Sequence, residues 1–269
     1  VTAYYNEFDP YAAQWLRNLI AGGHIAPGDV DERSIVDVQA DDLKGYTQCH
    51  FFAGIGGWSL AARMAGWPDD RPLWTGSCPC QPFSVGSTAH GGAKGQDDIR
   101  HLWPAFFGII RERAPTVVFG EQVVSAIGWG WYDELCWDME SAGYACAAAI
   151  IPANALKAYH ERKRLVWVAD ASGAGREGHY SVECLPIAAA PAFPIYGDPL
   201  ADAGRALDGD YSGLLPCDGV PVAVERSAAK GYGNAIVPQV AAEVIGAYLD
   251  IALPLPAAND NHGKQEVAA

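Results

Sequence analysis

Short apolar runs alternate along this chain with segments whose apolar residues recur every three or four positions. The runs read as strands and the periodic segments as helices. Thr2–Phe8 predicts a first strand that ends in Asn6-Glu7-Phe8-Asp9-Pro10. Pro10 suits the first turn of a helix, which Tyr11–Ile20 continues with Ala12, Trp15, Leu16 and Leu19 at helical spacing. A second short strand is expected near Ser34–Val38. Cys49–Ala53 predicts a third strand, Ser59–Ala65 a helix closed by Gly66, and Leu73–Gly76 a strand. Trp103–Arg113 and Trp131–Ala142 read as helices; Thr116–Phe119, Ala145–Ile151 and Leu165–Ala169 read as strands. This alternation predicts an α/β fold, a mostly parallel sheet with helices on both faces.

The rhythm stops at Asp170–Lys230, which is rich in Gly, Pro, Ala and Asp, and resumes in an amphipathic helix at Val240–Leu249. From Leu253 onward prolines and polar residues predict a loose tail. The expected organisation is a main domain over 1–169, a small irregular lobe over 170–230, a return to the main domain over 231–252, and a tail over 253–269.

Half of the 269 residues are hydrophobic, enough for one large core. No apolar run reaches the length of a membrane span, and no basic-then-apolar leader opens the sequence. Seven cysteines without framework spacing suit free thiols in a reducing compartment, which predicts a cytoplasmic protein. Cys78 and Cys80 lack a second Cys/His pair nearby, so no metal site is expected. The formal charge of −14 is opposite to that of a simple nucleic-acid binder. Any contact with phosphates therefore needs a local concentration of cations.

Four motifs carry candidate chemistry. Phe52-Ala53-Gly54-Ile55-Gly56-Gly57 follows a predicted strand and precedes a helix, a turn that lets backbone approach a ligand closely. No Gly-Lys-Ser/Thr follows, so it is not a Walker loop. Glu7, at the end of another predicted strand, is the type of carboxylate a ribose needs. Cys80 lies on a loop between Pro79 and Gln81, a setting unlike that of a core thiol. Glu121 and the pair Arg162/Arg164 supply an acid and two cations. Trp129, Trp131 and Trp137 are read as core residues. His90 and His101 are read as polar groups near the cysteine loop, and the Gly/Ser-rich stretch 86–95 as a lid.

In this order the motifs resemble the DNA cytosine-5 methyltransferases, small phage-type members in particular, over nearly the whole chain to about Ile251. Pro79-Cys80-Gln81 is similar to the family's nucleophile motif, Arg162-Lys163-Arg164 to its arginine-x-arginine motif, and Gly233-Asn234-Ala235-Ile236-Val237-Pro238 to its last motif. Glu121-Gln122-Val123 stands where the family usually has Glu-Asn-Val, and the 98–103 segment containing Leu102 resembles the motif after the nucleophile loop. The resemblance implies a Rossmann-like sheet, S-adenosylmethionine as methyl donor, double-stranded DNA as partner, base flipping, and a monomer. It implies catalytic roles for Cys80, Glu121, Arg162 and Arg164. Cofactor contacts would come from Glu7, Ser34, Ile35, Phe52, Gly54, Ile55, Gly56, Leu102 and Asn234. Substrate contacts would come from Pro79, Gln81, Ser84 and Gln122.

Two departures from the family pattern stand out. The interval Gly57–Pro79 holds one helix and one strand, too short for the family's ribose and adenine elements. Those elements are expected before the glycine turn, as Asn6-Glu7 and either Ser34-Ile35 or Asp29-Val30, in a circularly permuted cofactor half. The lobe at 170–230 carries four cations (Arg176, Arg205, Arg226, Lys230) against nine acids, which predicts a weak or undemanding grip on DNA. Two other readings compete: a related modification placing another group on cytosine or acting on a nucleotide, and a non-catalytic S-adenosylmethionine-binding decoy.

Overall fold

A computed structural model describes residues 2–79, 101–156, 158, 161–171 and 235–252. Its strands are β1 (Ala3–Asn6), β2 (Gly28–Asp31), β3 (Gln48–Phe51), β4 (Leu73–Gly76), β5 (Val117–Val123), β6 (Ala145–Pro152) and β7 (Lys163–Asp170). Its α-helices are α1 (Pro10–Ala21), α2 (Gly57–Met64), α3 (Trp103–Arg113), α4 (Trp131–Ser141) and α5 (Pro238–Ala252). The expected lobe beyond residue 171, the 86–95 lid with His90 and the tail after 252 lie outside the described residues.

The strands form one seven-stranded sheet in the order β2-β1-β3-β4-β5-β7-β6. The first five are parallel; β7 is antiparallel to both β5 and β6. The sheet is thus mostly parallel and Rossmann-like. Counted from β3, which carries the glycine turn, the spatial order reads 3-2-1-4-5-7-6. That is the doubly wound order 3-2-1-4-5-6 with one antiparallel strand inserted. The chain makes β1 and β2 before β3.

Alternation along the strands sends side chains to two cores. Val118 and Trp167 face the side where Trp103 and Phe106 of α3 and Leu135 and Met139 of α4 pack. Val117, Phe119 and Val166 face the side covered by Trp58 and Ala61 of α2 and Val240 and Ile245 of α5. Helix α1 covers the same side further out, with Leu16 against Tyr5. Two glycines make room for aromatic rings: a Cβ on Gly76 would lie 2.3 Å from a Phe106 ring carbon, and one on Gly120 would lie 2.2 Å from Trp167.

Three sequence expectations need correction. The second strand is Gly28–Asp31, and Ile35–Asp37 is a 3-10 turn rather than a strand. The buried Asn6 amide donates to the carbonyls of Asp31 (3.3 Å) and Arg33 (2.8 Å), so the chain turns there, and Ile35 and Val38 drop into the core three residues apart. As an edge strand, Gly28–Asp31 needs no apolar pattern, and polar residues on an edge oppose further pairing. Strand β5 does not stop before Glu121 but runs to Val123, because β7 pairs with it that far. Only Trp131 of the three tryptophans is core: Trp137 is 77% and Trp129 47% exposed. The inner face of α4 is taken by Trp131, Tyr132, Leu135 and Met139, which leaves position 137 outside.

A polar ladder crosses the parallel half. His50 is hydrogen-bonded to Thr75 Oγ1 at 2.8 Å and to Gln48 Oε1 at 3.3 Å, and stacks on Tyr5. Burial pushes its imidazole down to about 3. Among the described residues no helix is long and apolar enough to cross a membrane.

Two predictions follow from this packing. The folded state keeps His50 neutral while the unfolded chain protonates near 6.5, so stability is full above about pH 6.5 and falls as pH drops toward 3. This one group contributes a slope approaching ~1.4 kcal/mol per pH unit within that window. Urea unfolding at a series of pH values should show that slope reduced in His50→Gln. Gly120→Ala should cost about 1–3 kcal/mol by overpacking against Trp167. Gly128→Ala, where a Cβ meets nothing, is the control in the same measurement.

Candidate active site

Parallel strands present their C-terminal ends at one edge of the sheet, and ligands bind there because loops and helix N-termini converge. Strands β1, β3, β4 and β5 bring Glu7, residues 52–56, residues 77–79 and Glu121 to this edge. Since β7 runs the other way, its first residues, including Arg164, arrive at the same edge.

The glycine turn has three left-handed residues, Phe52 (φ 52°), Gly54 (φ 56°) and Gly56 (φ 81°). For Phe52 that conformation is uncommon and strained, and its ring is held edge-on against Phe106. Glu7 bridges β1 to this turn: one carboxylate oxygen accepts from Gly54 N–H at 2.7 Å, the other from Asp9 N–H at 2.9 Å. Asp9 caps α1, accepting from Tyr11 N–H at 2.9 Å. A carboxylate offers about four lone-pair sites, so Glu7 keeps capacity for ribose hydroxyls. Together with the open Gly54 position, where a Cβ would meet nothing, these residues fit a nucleoside cofactor.

The remaining expected cofactor residues are spread around this centre. Ser34 and Ile35 sit on the turn beyond β2, but the Ile35 side chain is buried in the core. Ile55 is half-buried on the glycine turn, and Leu102 is half-buried just before α3. Sequence reading overlooked Phe8, 72% exposed and next to Glu7, and Val36, exposed beside Ile35. Their exposure is set by the fold, so the sequence offered no signal for it.

The segment leading to Cys80 is fixed from two sides. Trp58 of α2 donates its indole N–H to Ser77 Oγ at 2.9 Å. Gln122 is buried and donates its amide to the Cys78 carbonyl at 3.3 Å, while its Oε1 accepts from Val123 N–H at 2.9 Å. Gln122, expected as a substrate contact, braces the backbone two residues before Cys80. Cys78 is fully enclosed, and burial pushes its thiol well above the ordinary range. It is therefore unsuited to nucleophilic attack. Pro79 is half-buried at the end of this segment. Cys80, Gln81, Ser84 and Asn234 lie outside the described residues.

Glu121 and Arg164 meet across β5 and β7, with Arg164 Nε 2.5 Å from Glu121 Oε1. Burial raises the Glu121 carboxyl above its ordinary value, and the Arg164 and Arg162 guanidinium groups pull it back down. Arg162 donates to the Ala235 carbonyl at 2.8 Å, which brings the segment after Asn234 to the same place. Trp58, Glu121, Arg162, Arg164 and Ile236 line an open hollow of about 280 Å³. A Cβ on Gly57 would strike Ile236 at 2.6 Å, so α2 and the approach to α5 close tightly beside it. The arrangement offers a carboxyl group flanked by two cations, suited to a ring nitrogen and a neighbouring carbonyl oxygen.

Residues 66–183 match the family of C-5 cytosine-specific DNA methylases. The match covers less than half of the chain. The matched residues include Cys80, Glu121, Arg162 and Arg164 and begin after the glycine turn. Solved structures similar to the chain include DNMT2 of Spodoptera frugiperda (11% identity over 71% of this chain and 57% of that one, TM-score 0.42). Dnmt2 of S. pombe has 15% identity over 68% of this chain and 52% of that one, with TM-score 0.36. The methyltransferase EhMeth of Entamoeba histolytica has 13% identity over 94% of this chain and 99% of that one, with TM-score 0.46. The chain spans little more than half the length of the two DNMT2 structures. No match was found among curated proteins.

Glu7→Ala would orphan the Gly54 and Asp9 amides. The variant should lose about 1–3 kcal/mol of stability in urea unfolding. It should also lose binding of S-adenosylmethionine by calorimetry, while Glu32→Ala, on the exposed pair with Arg17, should change neither appreciably.

Proposed function

We propose that the chain methylates C5 of cytosine in double-stranded DNA, with Cys80 as a transient covalent nucleophile. The observation that carries this reading is the half-buried Glu121–Arg164 pair, held at the same sheet edge as the Glu7–Gly54 link and the braced segment before Cys80.

Cytosine C5 is too weak a nucleophile to be alkylated unaided, so addition of a thiolate to C6 is needed to build carbanion character at C5. Cys80 supplies that thiolate. Glu121 holds and protonates N3, which draws electrons through the ring as the sulfur–C6 bond forms. Arg162 and Arg164 stabilise the polarised O2. S-adenosylmethionine, when bound, supplies an electrophilic methyl group on a sulfonium. Glu7 would hold its ribose, residues 52–56 would face its polar end, and Phe8 with Val36 would offer apolar surface to its base. The final proton loss from C5 and departure of Cys80 restore the aromatic ring. Reaching both faces of the base requires it to leave the helix. The 170–230 segment is the candidate reader of the target sequence.

A second reading rests on the acidic balance of the 170–230 segment, nine acids against four cations. It favours a substrate with few phosphates, or another group placed on the same carbon. Mass spectrometry of nucleosides from treated duplex, single-stranded DNA, RNA and free nucleotides separates these possibilities.

Expressed in a methylation-deficient host, the wild-type chain should produce 5-methylcytosine at a defined sequence. Cys80→Ala should produce none. Arg164→Ala should lower turnover by about 10²–10³-fold, the usual loss for one oxyanion-type donor. Methylation persisting in Cys80→Ala would remove the mechanism.

A further inference from the structure

Trp58 is the second residue of α2, the helix that opens at Gly57 directly after the left-handed Gly56 (φ 81°). Its side chain is 3% exposed and touches three parts of the site. The indole N–H donates to Ser77 Oγ at 2.9 Å, and Ser77 stands three residues before Cys80. The ring packs on Phe119, with centroids 6.3 Å apart, and Phe119 precedes Glu121 by two residues on the same face of β5. Together with Glu121, Arg162 and Arg164, Trp58 lines the hollow of about 280 Å³. Gln122 holds the same stem from β5, through the Cys78 carbonyl at 3.3 Å. The two bonds refer the stem to different parts of the site. Gln122 adjoins Glu121 on its strand, so its bond sets the stem against the acid. Trp58 belongs to the helix that starts at the glycine turn, so its bond sets the stem against the place where the donor would sit.

We infer that Trp58 is a positioning residue for methyl transfer, acting through its hydrogen bond to Ser77 to align the Cys80 segment with a donor at the glycine turn. The inference rests on the function proposed above, which has two separable steps. Addition of the Cys80 thiolate to C6 needs the stem placed correctly against Glu121. Transfer of the methyl group to C5 needs the ring, now held by the sulfur, in line with the donor. A misplacement of about 1 Å costs on the order of 10²-fold in such a step. Losing the Trp58–Ser77 bond leaves the Gln122 bond in place, so addition at C6 continues while transfer slows. Trp58→Phe keeps an aromatic ring against Phe119 and removes only the N–H; Ser77→Ala removes the acceptor and keeps the indole.

Addition can be followed without transfer. S-adenosylhomocysteine has no methyl group to give. In its presence in deuterated water, the thiolate adds to C6, C5 takes up a deuteron, C5 loses its original proton and the thiolate departs, which leaves deuterium on cytosine. Unmethylated plasmid DNA is incubated with the full chain in deuterated water, once with S-adenosylhomocysteine and once with S-adenosylmethionine, and the nucleosides are measured by mass spectrometry. Trp58→Phe and Ser77→Ala should each lower the ratio of methylation to exchange about tenfold, the rate equivalent of one net hydrogen bond. The double variant should show the same loss of about tenfold rather than its square, because both changes remove one bond. Ser77→Thr keeps a hydroxyl and should recover most of the ratio lost in Ser77→Ala. A merely structural role lowers methylation and exchange together, since unfolded chain performs neither, and leaves the ratio alone. An unchanged ratio in either single variant, or losses that multiply in the double variant, would overturn the inference and leave the proposed function standing. A wild-type chain that neither methylates nor exchanges cytosine would overturn that function, and this inference with it.

Discussion

An acid shut away from water resists ionising, and Glu121 is placed so that two cations set the balance. Burial favours its neutral form; Arg164 in contact and Arg162 nearby favour the charged one. Removing either side of such a pair leaves an uncompensated group, which is why the arrangement constrains everything around it. It demands that β5 continue past Phe119, that a strand of opposite direction lie beside it, and that the chain return from residue 235 to receive Arg162. The antiparallel β7 meets these demands within one sheet.

The cofactor half obeys a different constraint. Neighbouring strands in a parallel sheet need not be neighbours in sequence. Glu7 reaches Gly54 because β1 and β3 are paired in register, Asn6 opposite Phe51, although a helix, a strand and two turns separate them along the chain. Building β1 and β2 before β3 therefore changes the connections and leaves the edge intact. The family match starts at residue 66, after β1, β2 and β3.

Much of this was legible in the residues. Leu73–Gly76 and Trp103–Arg113 were readable to the residue, because apolar runs or helical spacing met clear stops. The turn at residues 52–57 was read from its glycines, and the structure brings Glu7 against it. What escaped depended on neighbours. Gly28–Asp31 is a strand only because β1 is there to pair with it, and its polar side chains gave no period. That Gln122 braces the Cys78 carbonyl could not be read either, because the contact exists only across β4 and β5. Trp137 looked like core because large aromatics usually are, yet the inner face of α4 was already full. Phe8 was hidden by its position at a strand end, where exposure cannot be read from sequence.

The central claim is a bond between the Cys80 sulfur and C6 of cytosine. A fluorine at C5 cannot leave as a proton, so an attacking thiol would remain attached after methyl transfer. Duplex DNA carrying 5-fluorocytosine in the target sequence, incubated with the chain and S-adenosylmethionine, tests this directly by mass spectrometry of the denatured mixture. The account predicts a stable one-to-one complex whose bond maps to Cys80. A methylated product with no such complex, or a bond mapped to Cys78, would contradict it.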